Sequence, residues 1–122
     1  MNRTQDTVLE SAAAARVAVE AASEKQASDI LMLDVRLICD FADYFVICSA
    51  ESDRQMNAVV DEVENALTKQ RVRIYRSEGT ASSGWILMDL GDVIVHVFSP
   101  EQRSRYRLEE FWDNAIPALR LQ

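Results

Sequence analysis

The chain has 122 residues, 48% of them apolar and 27% charged, with a formal net charge of −7. That length fits one domain with one core, and the apolar content excludes a disordered chain. The acidic balance weighs against nucleic acid as a direct partner, because phosphates repel such a surface, and it favours a basic partner.

The first residues hold no charged leader followed by an unbroken apolar run, and no stretch approaches the ~20 apolar residues of a membrane span. A cytoplasmic protein is expected. Thr7 with Glu10 forms the pattern of a capping box and opens an alanine-rich helix, spanning about 8–26, whose stripe includes Val8, Ala12, Ala15, Val19 and Ala22. Asp29–Val35 and Tyr44–Ser49 are dense in apolar β-formers, as expected of central strands. Cys39 and Cys48 flank no ligand spacing, so two reduced thiols and no metal are expected. Ser52 with Gln55 opens a second helix to about Gln70, with Met56, Val59, Val60, Val63 and Leu67 on its buried stripe. Val72–Ser77 alternates and should be half-exposed. Gly79–Gly84 is small and polar but precedes a strand, so it reads as a turn rather than a phosphate cradle. Trp85–Leu90 and Val93–Phe98 flank Gly91-Asp92, a two-residue hairpin turn. Ser99 with Gln102, and Pro100 at the first helical position, open a third helical stretch bearing Tyr106, Leu108, Phe111 and Trp112. Pro117 ends regular structure. This order predicts an α/β fold, a mixed β-sheet packed with helices, with the second helix as a right-handed crossover from Tyr44–Ser49 to Val72–Ser77.

The hairpin register follows from its turn. Leu90 faces Val93, Met88 faces Val95 and Ile86 faces Val97, which makes one face wholly apolar and therefore core. The other face pairs Asp89 with Ile94, Leu87 with His96 and Trp85 with Phe98. It has three readings. It is a second core layer with His96 satisfied by a neighbour, or a docking surface anchored on Trp85 with Asp89 meeting a basic residue, or a catalytic centre. For the last, Asp89, Asp92 and His96 form a thin constellation with the other expected roles missing. A Cys48–His96 nucleophile pair is rejected because nothing near Cys48 lowers its pKa. Arg103, Arg105 and Arg107, at spacing two, read as a solvated face.

The runs DILMLDV and DFADYFVICSAESDRQ, the SEG at Glu78, and WILMDLGDVIVHVFSPEQRSRYRLEEFW occur in that order over about residues 29–112. Together they resemble the Iojap-like ribosomal silencing factors. The most specific parts are Asp43-Tyr44-Phe45, Ser52 with Arg54-Gln55, and Trp85 followed by Asp89, Gly91-Asp92 and His96. The resemblance implies a single domain over 1–122 with a nucleotidyltransferase-like α/β fold. It also implies binding to the large ribosomal subunit at ribosomal protein fourteen on the inter-subunit face. Occupying that place blocks the small subunit and lowers translation in starvation or stationary phase. A homodimer when free is implied as well, with no cofactor, no catalysis and no sequence-specific nucleic acid. The partner-binding set is then Trp85, Leu87, Asp89, His96 and Phe98, with Asp43, Asp92 and Tyr106. Enzymes of this fold carry a Gly-Ser turn ahead of an Asp-x-Asp pair, and the sequence has neither. A nucleotidyltransferase-like enzyme and a dimeric adaptor for another basic protein are the alternatives. The lack of an Arg/Ser-rich transit segment leans toward a bacterial source.

Overall fold

The computed structural model describes residues 9–111 and 115–121, so Thr7, Val8 and Trp112 lie outside the described residues. Helix α1 spans Ser11–Glu24, and Glu10 stands at its N-cap without a side-chain cap bond. Glu10 is therefore not the third helical residue that a capping box with Thr7 requires. Ala14, Ala15, Ala18 and Ala22 are buried, and such small side chains let α1 lie close against its neighbours. Helix α2 spans Asp53–Lys69. Its Ser52 cap accepts from the Gln55 amide at 3.1 Å, as expected. The Gln55 side chain does more than close the cap. Its Oε1 accepts from the Glu51 amide at 2.6 Å, and its Nε2 donates to the Lys25 and Gln26 carbonyls at 3.1 and 2.9 Å. It thus ties the start of α2 to the chain leaving α1.

The strands are β1 (Ser28–Asp34), β2 (Tyr44–Ser49), β3 (Arg76–Glu78), β4 (Trp85–Asp89), β5 (Val93–Phe98) and β6 (Ile116–Leu121). They form one six-stranded sheet in the order β3-β4-β5-β2-β1-β6. Only the β2–β5 ladder is parallel, so the sheet is mixed as predicted. The crossover helix α2 leads to β3, which lies beyond β5 and β4 rather than beside β2.

Two expectations are corrected here. The strand placed at Val72–Ser77 begins only at Arg76, because Val72 and Ile74 pack as partly buried residues under the helical layer before any ladder forms. Regular structure also continues past Pro117. β6 is an edge strand, whose outer side needs no N–H, and Pro117 pairs with Leu33 at a register shift. The third helical stretch is divided. Helix α3 (Pro100–Tyr106) ends at Arg107 in the left-handed conformation (φ 50°), and α4 (Leu108–Phe111) follows.

The hairpin register is the predicted one, from Trp85↔Phe98 to Asp89↔Ile94. Gly91 takes φ +95° at the first turn position, where a side chain would be strained, and its N–H donates to Asp89 Oδ1 at 2.8 Å. Ile86, Met88, Leu90, Val93, Val95 and Val97 join α1 and α2 in one core cluster. The opposite sheet face carries a second cluster that includes Leu31, Phe45, Ile47, Ile94 and Phe98.

Arg103 departs from the solvated face predicted for it. It is 9% exposed, and its Nη1 donates to the Asp29 carbonyl at 2.6 Å and to Ser49 Oγ at 3.0 Å. Its Nε donates to Glu109 Oε2 at 3.0 Å. Arg105 and Arg107 are exposed. The Ser99 cap sets the helix rotation, and of the three arginines only Arg103, one turn in, is turned toward β1 and β2.

Candidate functional site

The face of the hairpin away from α1 and α2 is built in two depths. Phe98 is 0% exposed and His96 4%, whereas Trp85, Leu87 and Asp89 are half-buried. In the free chain Phe98 and His96, expected as partner contacts, thus lie in a layer beneath the Trp85 ring. The indole lies 4.8 Å from the Phe98 ring and 4.9 Å from the Tyr106 ring, centroid to centroid. Its Nε1 donates to His96 Nδ1 at 3.2 Å, so the polar end of Trp85 is engaged inward and the face it turns outward is apolar.

Trp85 and Leu87 separate two concavities. One, of ≈ 520 Å³, is lined by Phe41, Phe45, Ile94, His96 and Leu108, with Arg76, Asp89 and Gly91 at its polar edge. The other, of ≈ 300 Å³, is lined by Glu78, Gly79, Ser83, Gln102 and Tyr106. Both are shared by Trp85 and Leu87. Exposed apolar residues continue outward from this face, with Phe41 at 63% and Tyr106 at 47%.

Asp89 has partners of its own. Beyond the Gly91 amide, its Oδ2 lies 3.7 Å from Arg76 Nε, and Arg76 also meets Glu78 at 3.1 Å. The β3–β4 register places Arg76 opposite Asp89. Asp43 and Asp92 meet through the backbone, the Asp43 amide donating to the Asp92 carbonyl at 2.7 Å. They stand at adjoining ends of β2 and β5, and neither lines the two concavities. The Asp43 carboxylate accepts from Ser11 Oγ of α1 at 2.8 Å. Of the expected set, Trp85, Leu87, Asp89 and Tyr106 thus share one surface over His96 and Phe98, with Asp43 and Asp92 apart. Sequence reasoning placed Ile94 on this face but missed Phe41, Arg76 and Leu108 as fellow lining residues of the groove. Only Phe41, two residues before the Asp43-Tyr44-Phe45 motif, had a local signal.

Cys48 and His96 lie on opposite faces of the sheet, Cys48 in the helical core and His96 against Phe45 at 5.4 Å. Burial pushes the Cys48 thiol up to about 12. In the native protein at pH 8 a thiol reagent should therefore modify Cys39 and spare Cys48 until denaturant is added, as mass spectrometry can follow. Fast native labelling of Cys48 would contradict its burial. Among the described residues no group of three or more His, Cys, Asp or Glu is arranged to hold a metal ion, and no helix is long and apolar enough to cross a membrane.

Burial also pushes the His96 imidazole down to about 4. Because the folded value lies below the unfolded one, the unfolded chain takes up the proton first. Stability is therefore full above about pH 6.5 and falls as pH drops toward 4, by up to ~3 kcal/mol. Urea melts across that window should show a smaller pH dependence for His96→Asn, and an unchanged one would contradict the buried neutral ring.

The model of the family described as "Ribosomal silencing factor during starvation" (RsfS) matches residues 8–122. The chain belongs to the RsfS family. It is 41% identical to the ribosomal silencing factor RsfS of Bacillus subtilis over 100 residues, 82% of this chain and 85% of that protein. A crystal structure of a Chromobacterium violaceum protein matches with a TM-score of 0.83 and 32% identity, covering 86% of this chain and 88% of the other. A Bacillus halodurans structure matches with a TM-score of 0.71 and 37% identity over 80% and 90% of the two chains. The RsfS fold is thus this mixed six-stranded sheet with helices, and the Trp85 surface lies within the part shared with the family.

Proposed function

We propose that this RsfS-family chain represses translation by binding the large ribosomal subunit through the Trp85 face and occupying space that the small subunit needs. The observation that carries this reading is the apolar ridge of Trp85 and Leu87, set between two concavities on a strongly acidic domain. A large half-buried aromatic beside a pocket is the usual anchor of a protein interface, while the chain's net charge of −7 speeds encounter with a basic protein. The family description and the names of its relatives support a ribosomal target. The resemblance supplies the finer partner, ribosomal protein fourteen on the inter-subunit face, and starvation or stationary phase as the occasion.

Steric occupation needs no bond making, so no catalytic residue or cofactor enters the mechanism. An interface of roughly 800 Å² per partner is enough for a specific complex, and a domain of this size can supply it. The chain acts as a single cytoplasmic domain, which the family match over 8–122 supports. It forms a homodimer when free, consistent with the exposed Leu37, Ile38 and Ile116. Sedimentation of the protein with isolated large subunits tests the docking step. It should move with the large-subunit peak and be released as salt rises, and protein left at the top of the gradient at low salt would refute docking.

A further inference from the structure

Among the described residues the hydrogen bonding of His96 is incomplete. Its Nδ1 is the acceptor for the Trp85 indole N–H, and the ring is neutral at pH 7. A neutral imidazole with Nδ1 accepting must carry its proton on Nε2. That atom is buried and has no hydrogen-bond partner among the described residues. The rings of Phe45 and Phe98, with centroids 5.4 and 6.1 Å from that of His96, offer at most a weak N–H···π contact. The indole accounts for Nδ1 but not for Nε2, and buried donors are nearly always paired. A donor kept in this place points to a bound state that uses it.

His96 lines the ≈ 520 Å³ groove. Most of the lining is carried by strands, but Leu108 belongs to α4 and Phe41 to the connection between β1 and β2. Phe41 meets the Phe45 ring of β2 at 6.2 Å, so Leu108 is the wall that lies off the sheet. We propose that His96 Nε2–H is the polar anchor of the groove, donating to a neutral oxygen that the protein partner inserts as Leu108 gives way. The oxygen is a backbone carbonyl or a Ser/Thr hydroxyl beside an apolar side chain. A carboxylate is disfavoured by the net charge of −7, since the Asp89 and Arg76 charges on the lining offset each other. The proposal rests on the docking reading above and assigns the partner's chemistry at one point of it.

Two variants separate the donor from the packing. His96→Asn keeps an oxygen near Nδ1 for the indole but cannot reach the position of Nε2. His96→Gln places an amide N–H near Nε2. Binding to isolated large subunits is titrated by co-sedimentation, with thermal melts confirming that each variant folds. His96→Asn should bind about tenfold more weakly, the loss of one buried hydrogen bond, and His96→Gln should recover most of that. Should His96→Asn fail to fold, His96→Phe serves as the variant without a donor. Normal binding by a folded donorless variant, or binding by His96→Gln no better than by that variant, would overturn the anchor and leave docking intact. Failure of the unaltered protein to bind would instead overturn docking, and the anchor with it.

Discussion

Trp85→Ala is expected to weaken binding to the large subunit by ~30-fold or more while leaving a folded but less stable domain. The indole presents the largest apolar surface between the two concavities, and truncating an anchor of this kind typically costs at least ~2 kcal/mol of binding. It also packs, tilted, against the Phe98 and Tyr106 rings and donates to His96 Nδ1, so its removal exposes the second core layer and strands an acceptor. A stability loss of about 2 kcal/mol should accompany the binding defect, below the ~3–5 kcal/mol of a fully buried ring. Circular dichroism and a thermal melt give the second quantity, and co-sedimentation the first. Tyr106→Ala, which trims the exposed side of the same ring cluster, should weaken binding with little change in melting temperature. A folded Trp85→Ala protein that binds normally would remove Trp85 from the interface. Global unfolding would make it a core residue first.

Arg103→Met is expected to cost ~2–3 kcal/mol of stability, below the ~3–5 kcal/mol of a fully buried ion pair because Glu109 is partly exposed. The guanidinium joins α3 to β1 and β2 through Asp29 and Ser49, and holds α4 through Glu109. Without it the Asp29 carbonyl loses a 2.6 Å bond, and Glu109, whose Oε1 is buried with no partner among the described residues, loses its cation. Arg103→Lys should recover little, because one ammonium cannot reproduce donors at Nε and Nη1 in fixed directions. Urea unfolding measures both. A loss below about 1 kcal/mol would make the cluster an ordinary surface ion pair.

The contrast between these two residues explains what was legible in the sequence. Trp85 could be placed because the Gly91-Asp92 turn is local. Once the turn is fixed, a period of two assigns every hairpin side chain to a face, and the structure has that register. Arg103 could not, since three arginines at alternate positions on a short helix look alike until the tertiary contacts choose one. The caps at Ser52 and Ser99 were likewise readable from neighbouring residues. Pairings between distant segments were not. The parallel β2–β5 ladder, the shift of β3 to Arg76 and the addition of β6 beside β1 depend on contacts that no local pattern encodes. Pro117 concealed β6, because a proline argues against a strand unless that strand is already known to lie at an edge. The groove was half legible for the same reason. Its Trp85–His96 floor comes from one hairpin, while Phe41, Arg76 and Leu108 arrive from three other segments.

The central claim is that a bound chain keeps the two ribosomal subunits apart. It is tested most directly by mixing purified large and small subunits under joining conditions, with and without the protein, and resolving them on a sucrose gradient. The joined peak should fall in proportion to the protein bound, the free subunits should rise, and the protein should travel only with the large one. An undiminished joined peak with the protein bound to it would contradict the claim.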